Sequence, residues 1–281
     1  MEVACEANSE QKALWNGRAG QAWVEAQASL DEMFKPLGQA LVAAAQVSPG
    51  DRALDVGCGA GATTLAVAQR LGANGHCVGV DVSQPAIAAA RARAERENVR
   101  ASFICADAQT HAFEPATFDA VVSRFGVMFF DDSVQAFANL RRAARSGARL
   151  RFVAWRSAAE NPFMTVAERA AAPLLPDLPA RQPDAPGQFG FADPRRVSRI
   201  LETSGWTRID VQPIDAECAF PESALLSYLT GLGPLGRILP EADGSTRARV
   251  IETVRLAFNP YVRGADVRFV AACWMAGAQA P

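Results

Sequence analysis

The sequence is poor in the residues that build metal sites and disulfide frameworks. It has only two histidines, His76 and His111, and its six cysteines are dispersed, with no C-x-x-C pair among them. The common zinc sites need closely spaced cysteine or histidine ligands, and disulfide-stapled domains need a dense set of cysteines. We therefore expect neither a metal site nor disulfides, and dispersed cysteines favour a reducing, cytoplasmic setting.

Lysine, clustered positive charge and long apolar runs are also scarce. Lys12 and Lys35 are the only lysines, the arginines are scattered, and the formal net charge is -2. This balance gives no electrostatic reason to expect a nucleic-acid partner. The N-terminal MEVACEANSE lacks the basic and apolar regions of a signal peptide, and no apolar stretch approaches the roughly 18 residues of a membrane span. We expect a cytoplasmic monomer or homodimer.

From residue 48 onward the chain alternates short apolar strands with helices. Helices are predicted at 62–72, 83–98 and 132–145, and Ser146 and Gly147 end the third of them. The predicted strands are RALDV (52–56), HCVGVD (76–81), ASFICAD (101–107), FDAVVS (118–123) and ARLRFVAW (148–155). Strands that alternate with helices at this spacing predict a parallel sheet with helices on both faces.

The pattern loosens on either side of this region. Residues 9–47 favour helices, and 157–192 combines a short helix with repeated prolines, which is typical of a surface insertion. Further elements are predicted as a helix (192–205), a sixth strand (206–214), helices (222–232 and 245–258) and a last strand (267–278). The second half of the chain therefore adds strands to the sheet and helices around it.

The densest motif is LDVGCGAGATT, residues 54–64. Gly57, Gly59 and Ala62 satisfy the dinucleotide fingerprint G-x-G-x-x-G/A, and Asp81, at the end of the second strand, could bind a ribose. A match of this kind by itself is compatible with more than one nucleotide ligand. The neighbouring residues must therefore decide between them.

Two features of the motif favour a ligand other than a dinucleotide. Asp55 ends the first strand beside the loop, where its carboxylate would repel a pyrophosphate and attract an ammonium group. Gly61 adds a third glycine, so that the backbone can approach a ligand along the whole turn. S-adenosylmethionine carries an ammonium group, a sulfonium and a ribose, and no phosphate.

These residues resemble the class I S-adenosylmethionine-dependent methyltransferases over about residues 50–156, most closely the small-molecule group related to the ubiquinone and menaquinone methyltransferases. The similar motifs, in order, are LDVGCGAG (54–61), VGVDVS (78–83), ADAQ (106–109), FDAVVSRFGVMFF (118–130) and RRAARSGARLRFVAW (141–155). Ser146 stands where that family usually has proline. The resemblance implies a doubly wound α/β fold with a seven-stranded, mostly parallel sheet, order 3-2-1-4-5-7-6, whose last strand is antiparallel.

The resemblance also implies which residues meet the cofactor. Asp81 would bind both ribose hydroxyls, Asp107 the adenine amino group, and the Ala108 backbone the adenine ring. Thr63 and Thr64 open the helix after the glycine loop, where they can bind the carboxylate end. The full set of expected cofactor contacts is Trp15, Asp55, Gly57, Cys58, Gly59, Gly61, Thr63, Thr64, Asp81, Val82, Asp107, Ala108, Ser123 and Arg124.

Groups for catalysis and for acceptor binding are harder to assign. Methyl transfer is an in-line displacement in which the protein supplies proximity, orientation and sometimes a base. His111 and Arg124 are the catalytic candidates; the alternatives are a structural loop histidine and an ion pair that holds the N-terminal helices. The expected acceptor-binding residues are Phe125, Met128, Phe129, Trp155, Arg156 and Phe163. Core packing is the alternative for Phe125, Met128 and Phe129, and packing of the cap is the alternative for Phe163. Trp15 has the alternative role of a helix anchor, together with Trp23.

We predict a methyltransferase that moves a methyl group from S-adenosylmethionine to a small, hydrophobic or aromatic molecule. An NAD-dependent oxidoreductase, a non-catalytic S-adenosylmethionine-binding protein and a chemistry at the cofactor's other carbons stay open as alternatives. The predicted organisation is N-terminal lid helices (1–47), a cofactor-binding α/β core (48–156), a cap insertion (157–192), and the rest of the core (193–281) with a second cap insertion (215–263).

Overall fold

The structure is a computed structural model that describes residues 8–179, 181–182 and 185–281. The acidic N-terminal residues 1–7, with Cys5, and residues 180, 183 and 184 of the proline-rich insertion lie outside this range. One mixed sheet runs through the described part. Its strands are β1 (Arg52–Val56), β2 (His76–Asp81), β3 (Ala101–Cys105), β4 (Phe118–Arg124), β5 (Ala144–Trp155), β6 (Thr207–Pro221), β7 (Val262–Arg263) and β8 (Asp266–Gln279).

The sheet has the strand order β3-β2-β1-β4-β5-β8-β6, and β7 pairs with β8 off this path. The first five strands are parallel, while β8 is antiparallel to both β5 and β6. The predicted last strand is β8, and the doubly wound fold is confirmed. The sheet has eight strands where seven are predicted, so its order differs slightly from 3-2-1-4-5-7-6. The one difference in strand content is the two-residue β7, which is too short to show a period in the sequence.

Helices surround this sheet, and several begin and end at the expected signals. α6 begins after Ser83, whose hydroxyl accepts a hydrogen bond from the Ala86 amide, and α5 lies between two glycines with positive φ, Gly61 and Gly72. The helices are α1 (Ser9–Asn16), α2 (Arg18–Glu25), α3 (Gln27–Met33), α4 (Lys35–Ala45), α5 (Ala62–Leu71), α6 (Gln84–Glu97), α7 (Ser133–Ala143), α8 (Pro162–Ala171), α9 (Pro194–Thr203), α10 (Leu225–Gly231), α11 (Gly233–Ile238) and α12 (Gly244–Ala257). In the described part of the chain, no helix is long and apolar enough to cross a membrane.

The two largest errors in the predicted strand boundaries are the start of β5 and the end of β6, and strand pairing explains both. β5 begins at Ala144, which pairs with Phe118, so α7 ends before Ser146 and Gly147. β6 runs to Pro221, beyond the predicted end at 214, because it pairs with β8 along its length. Such pairing depends on residues far away in the chain, and the local sequence pattern does not show it.

The long outer strands shape the region beyond the carboxyl end of the sheet. β5 leaves β8 at the pair Trp155 and Cys273, whereas β6 and β8 stay paired as far as Pro221 and Asp266. The outer hairpin therefore projects past the end of β5. α3 packs against β6, α2 meets α10 and α11, and α8 packs on α12. N-terminal helices, projecting hairpin and cap helices thus come together above the carboxyl edge.

Candidate functional site

Three carboxylates line the carboxyl edge of the sheet. Asp55 lies near the end of β1, Asp81 ends β2, and Asp107 follows β3 by two residues. β3, β2 and β1 are consecutive in the sheet, so the three residues form a row in the order Asp107, Asp81, Asp55. In open α/β sheets, ligands bind outside the carboxyl ends of the strands. The row therefore stands where a ligand is expected.

The glycine loop between β1 and α5 is tied to the neighbouring strand β2. The Gly57 and Cys58 amides both donate to the Val80 carbonyl, at 2.8 and 3.1 Å. The Gly59 amide donates to Asp81 Oδ2 at 2.8 Å. Since Asp81 ends the same strand, the loop and the second carboxylate of the row are held as one unit.

The glycines of the loop serve different purposes. A Cβ at Gly57 would lie 2.5 Å from the Cα of Gly126, so this glycine lets two backbones touch. A Cβ at Gly61 would press on Ala90 and on the Phe103 ring, so it allows α6 and β3 to approach. A Cβ at Gly59 would meet nothing within 4 Å. Gly59 is therefore the glycine with free space in front of it, as a ligand-facing position requires.

Asp55 is fully buried, and its two oxygens have different surroundings. Oδ2 accepts a hydrogen bond from the Thr64 hydroxyl at 2.6 Å. Oδ1 has no hydrogen-bond partner among the residues that the structure describes. Burial raises the pKa of Asp55 from its ordinary 3.8 to about 7, against the opposing effects of the Thr64 hydrogen bond and the Arg124 charge. A cationic ligand at Oδ1 would favour the charged carboxylate.

Asp81 is held by backbone amides on both oxygens. Oδ2 accepts from Gly59 and Oδ1 accepts from Ser83 at 2.9 Å. Burial raises the pKa of Asp81, and the amides of Ser83, Gly59 and Val82 oppose that rise. Each carboxylate oxygen can accept a second hydrogen bond. The geometry is therefore compatible with the prediction that Asp81 binds a diol, which stays a prediction.

Asp107 is buried within a network that sequence reasoning missed. Its Oδ1 accepts from the Asn8 side-chain amide at 2.8 Å and from the Gln109 backbone amide at 2.9 Å. Its Oδ2 has no hydrogen-bond donor within the described residues, although Lys12 Nζ lies 3.7 Å away. Asn8 precedes a helix, which in sequence is typical of a cap, and no pattern connects it to residue 107. Ala108 is also buried.

Two hydroxyls predicted to meet the cofactor are instead engaged within the protein. Thr64 donates to Asp55, and Ser123 donates to the Val56 carbonyl at 2.7 Å. Ser123 also accepts from the amides of Gly126 and Val127. Both side chains are fully buried. They therefore hold the ends of β1 and β4 in place. The cofactor contacts expected of Thr64 and Ser123, and of the buried Thr63, stay predictions.

Cys58 packs beneath the glycine loop. A Cβ at Gly79 of β2 would lie 2.8 Å from its sulfur, which shows that the thiol points toward that strand. Burial and the nearby charges of Asp81 and Asp55 raise the pKa of Cys58 well above its ordinary value, so the thiol stays neutral. Across the described residues, no three side chains of His, Cys, Asp or Glu are grouped to hold a metal ion.

Arg124 forms an ion pair with Asp31 of the N-terminal helices, which is the alternative to a catalytic role. Its guanidinium lies 3.4 Å from Asp31 of α3, and Asp31 also pairs with Arg93 of α6. Both side chains of the Arg124–Asp31 pair are largely buried. Arg124 therefore fastens an N-terminal helix to the end of β4, and its charge also acts on Asp55.

His111, the other catalytic candidate, lies elsewhere on the edge. Its ring stands edge-on to Phe113 with centroids 4.7 Å apart, and its amide donates to the Asp107 carbonyl. β2 and β1 separate β3 from β4, which puts these strand ends on the order of 14 Å apart. The structure therefore does not bring His111 and Arg124 together.

Aromatic side chains stand at the ends of β4 and β5. The rings of Phe125 and Trp155 are stacked, with centroids 4.7 Å apart and an interplanar angle of 4°. Phe34, which joins α3 to α4, meets both rings edge-on, and sequence reasoning missed it. Phe125 has a φ of 70°, a costly conformation for a bulky residue that often marks functional sites. We call Phe34, Phe125 and Trp155 the aromatic trio.

The other predicted acceptor-binding residues have packing partners that the structure defines. Met128 is buried and its sulfur accepts the Trp155 amide, as expected for a core residue. Phe163 is buried and stacks on Phe269 at 3.8 Å, inside the cap. For both, the structure favours the core-packing alternative.

Arg156 is likewise engaged, because it forms ion pairs with Glu160 at 2.9 Å and with Asp215 at 3.0 Å. Its guanidinium also lies over the Trp274 ring. Its position beside Trp155 is as predicted, yet its charge is already balanced by two carboxylates. Arg156 therefore ties β5 to the outer hairpin.

Trp15 connects the N-terminal helices to two strand ends. Its carbonyl accepts the Ser83 hydroxyl at 2.7 Å, after β2, and its ring meets Phe129 edge-on at 5.5 Å, after β4. Trp23 packs edge-on against it at 5.7 Å and is 40% exposed. β1 and its glycine loop lie between β2 and β4. Trp15 therefore bridges from one side of the glycine loop to the other.

The comparisons with known proteins agree with this architecture. Residues 53–147 match a family described as a methyltransferase domain. Aklanonic acid methyltransferase DauC from Streptomyces sp. (strain C5) is 34% identical over 43% of this chain and 56% of its own length. Nocamycin O-methyltransferase from Saccharothrix syringae is 28% identical over 69% of this chain and 73% of its own length. The chain thus spans about half the length of the first of these relatives.

A solved structure shares the fold. Phosphoethanolamine N-methyltransferase 2 of Haemonchus contortus, in complex with S-adenosyl-L-methionine, matches with a TM-score of 0.58 at 17% identity, over 98% of this chain and 60% of that chain. At this level of identity the likeness concerns the fold alone. The match over residues 53–147 supports the class I S-adenosylmethionine-dependent methyltransferase domain that the sequence motifs predict.

Proposed function

We propose that the protein transfers a methyl group from S-adenosylmethionine to a small, hydrophobic or aromatic molecule. The observation that carries this proposal is a pair of buried carboxylate oxygens, Asp55 Oδ1 and Asp107 Oδ2, without hydrogen-bond donors among the described residues. Leaving a buried acceptor unsatisfied costs about 1–3 kcal/mol, and more for a charged group. A ligand with a donor at each end would remove both penalties.

S-adenosylmethionine has this distribution of donors. The amino acid end carries an ammonium group, the adenine carries an amino group, and the ribose hydroxyls lie between them. The row Asp55, Asp81, Asp107 presents acceptors in the same order along the edge. The free space in front of Gly59, whose amide holds Asp81, lies at the middle of this row. The residues present therefore fit this cofactor.

A dinucleotide fits the same edge less well. Its pyrophosphate would lie beside the glycine loop and therefore close to Asp55, where the ionised carboxylate would meet a second anion and no hydrogen-bond donor for Oδ1. A pyrophosphate would also raise the pKa of Asp55 further, because two anions would share a buried site. The NAD-dependent alternative is therefore disfavoured by the environment of Asp55 as well as by its position.

The bound cofactor supplies an electrophilic methyl group on its sulfonium. The protein's part is to bind it by its ends and to hold an acceptor in line, which is the main contribution to such a displacement. The aromatic trio stands at the ends of β4 and β5, next to Asp55 on β1. We assign the acceptor to this side. An aromatic acceptor that stacks on a ring of the trio would gain about 0.5–1.5 kcal/mol beyond the burial of its surface.

The charges near the aromatic trio support an uncharged, apolar acceptor group. Arg124 is neutralised by Asp31, and Arg156 by Glu160 and Asp215. Because both guanidinium groups already pair with carboxylates, neither offers an unbalanced positive charge to an anionic acceptor. The names of the two relatives, aklanonic acid methyltransferase and nocamycin O-methyltransferase, support an acceptor that is a small molecule.

Binding and turnover together test the proposal. We expect S-adenosylhomocysteine, and not NADH, to raise the melting temperature. With S-adenosylmethionine and a panel of hydroxylated aromatic acceptors, mass spectrometry should detect a methylated product and equimolar S-adenosylhomocysteine. Stabilisation by NADH alone would exclude the cofactor assignment. Tight S-adenosylhomocysteine binding without product from any acceptor would instead identify a non-catalytic binding protein.

A variant pair separates the two halves of the site. Trp155→Leu should raise the acceptor KM several-fold and leave the dissociation constant of S-adenosylhomocysteine unchanged, because Trp155 belongs to the acceptor side. Phe163→Leu, inside the cap, is the matched aromatic control and should leave the acceptor KM within about twofold of the wild type. Equal effects of the two substitutions would contradict the assignment of the acceptor to the aromatic trio.

A further inference from the structure

Asn8 joins three separate segments beside the adenine end of the acidic row. The residue precedes α1, has a φ of 55° and is 2% exposed. Asparagine at this position normally caps the helix with its side chain, but here the side chain makes no capping hydrogen bond. It points instead into the loops after β3 and β4. The side chain therefore has a role other than starting the helix.

Every polar group of Asn8 is engaged at this junction. Its Nδ2 donates to Asp107 Oδ1 at 2.8 Å and to Gln109 Oε1 at 3.2 Å. Its Oδ1 accepts the Asp131 amide at 2.8 Å, and its own amide donates to Asp131 Oδ2 at 2.6 Å. Gln109 Oε1 also accepts the Asp132 amide. One residue of the N-terminal segment thus links the loop after β3 to the loop before α7.

This junction makes the two oxygens of Asp107 unequal. Oδ1 is occupied by two donors, Asn8 Nδ2 and the Gln109 amide. Oδ2 is buried without a hydrogen bond to any described residue, and the Lys12 ammonium is 3.7 Å from it. Rotating the carboxylate would break two hydrogen bonds in order to satisfy one oxygen. The orientation of Asp107 is therefore set by its neighbours before any ligand arrives.

We propose that Asn8 is a positioning residue for Asp107, holding Oδ1 so that Oδ2 is presented to the amino group of the cofactor's adenine. This inference rests on the proposed function, in particular on adenine lying at the Asp107 end of the row. Asn8 does not touch the cofactor in this account. It acts through Asp107, and it completes the adenine site only when the N-terminal segment is in place.

Asparagine suits this position for two physical reasons. Its backbone tolerates the left-handed conformation better than that of most residues. Its neutral amide supplies two N–H donors and one acceptor, which match the two acceptors and the Asp131 amide around it. Aspartate would keep the shape and lose the donors, and it would place a second negative charge against Asp107.

The test compares two ligands on two proteins by titration calorimetry. The ligands are S-adenosylhomocysteine and its analogue with hydrogen in place of the adenine amino group. We expect the wild type to prefer S-adenosylhomocysteine by about tenfold or more, the worth of one charge-assisted hydrogen bond. In Asn8→Gly, which retains the positive φ and the backbone bond to Asp131, this preference should fall to about twofold through weaker S-adenosylhomocysteine binding.

A second asparagine on the same helix provides the matched control. Asn16 of α1 bonds the Val82 carbonyl and the Gln84 amide, and does not contact Asp107. Asn16→Ala loosens the same helix, so it should change the affinity for both ligands by the same factor and keep the wild-type preference. A difference between Asn8→Gly and Asn16→Ala therefore reports on Asp107 and not on general mobility.

Each other outcome overturns the proposal in a distinct way. Equal losses for both ligands in Asn8→Gly would make Asn8 a simple anchor, and tighter S-adenosylhomocysteine binding would make it a competitor of the adenine. Unchanged affinity for both ligands would remove its role altogether. A wild type that binds both ligands equally would refute the adenine assignment of the proposed function. If Asn8→Gly is shown unfolded by circular dichroism, Asn8→Asp serves, with the same expected loss of preference.

Discussion

Thr64 donates its hydroxyl to Asp55 across 2.6 Å, and this bond satisfies one oxygen of a fully buried carboxylate. The other oxygen lacks a partner among the described residues. Thr64, which follows the three glycines of the loop, thereby holds Asp55, which precedes them. The consequence is an acidic group with a pKa near 7, which can respond to pH and to a cation within the physiological range.

The raised pKa of Asp55 predicts how stability changes with pH. The folded protein keeps the proton up to about pH 7, whereas the unfolded chain loses it near 3.8. The folded state is therefore favoured by this group below pH 4, and the contribution is lost as the pH rises toward 7. Asp55→Asn stays neutral, so without ligand it should melt above the wild type at pH 8 and level with it near pH 4. A difference in melting temperature between Asp55→Asn and the wild type that does not change with pH would contradict the raised pKa of Asp55.

The affinity for S-adenosylhomocysteine should rise with pH up to about 7, because an ammonium group binds the charged form of Asp55. The Arg124 charge lowers the pKa of Asp55, so Arg124→Met should move the midpoint of this rise to higher pH. Arg93→Met is the control, since it removes the other partner of Asp31 and leaves Arg124 in place. Calorimetry between pH 5.5 and 8 measures both midpoints; a common midpoint would show that Arg124 does not act on Asp55.

Two glycines of the same loop should respond differently to alanine. In Gly57→Ala the new Cβ meets the Gly126 backbone at 2.5 Å, and we expect a loss of about 2–4 kcal/mol in the free energy of unfolding. In Gly59→Ala the space is free, so the cost is about 1–2 kcal/mol for the positive φ. Its main effect should be weaker S-adenosylhomocysteine binding. Urea denaturation and calorimetry separate the two, and equal losses of stability would refute the distinction.

Asp81→Ala should weaken S-adenosylhomocysteine binding by about 100-fold or more, because two charge-assisted hydrogen bonds to the ribose are lost. The structure adds a cost in stability, since Asp81 also holds the Gly59 and Ser83 amides. Asp119→Ala is a matched control: Asp119 accepts the Arg52 amide at the opposite end of β1. It should lower stability and spare the affinity. Unchanged affinity in Asp81→Ala, measured by calorimetry on folded protein, would exclude the ribose assignment.

The sequence was most informative where local pattern and local chemistry coincide. The strands β1, β2 and β4 and the helix α6 follow from apolar runs, from a serine cap and from glycines, which act over a few residues. The acidic row was predictable for the same reason, because each aspartate lies at or just beyond the end of a strand. The length of β6 and the start of β5 could not be predicted from the sequence, since both depend on a partner strand far away in the chain.

The site shows the same division between local and distant information. Asp55, Asp81 and the glycine loop could be placed at one edge from the sequence alone, because parallel strands end on the same side of a sheet. The sequence alone could not show which hydroxyls remain free to bind a ligand. In the structure, the hydroxyls of Thr64 and Ser123 donate hydrogen bonds to neighbouring protein groups.

By itself, the sequence determined the class of fold and predicted which edge of the sheet binds the cofactor, through motifs whose meaning is local. Only the tertiary structure decided that Arg124 pairs with Asp31, that Asn8 holds Asp107, and that Phe34 joins Phe125 and Trp155. These contacts bring the N-terminal helices onto strand ends some 90 to 120 residues away in the chain. Such contacts arise when the whole chain packs, and no stretch of the sequence records them.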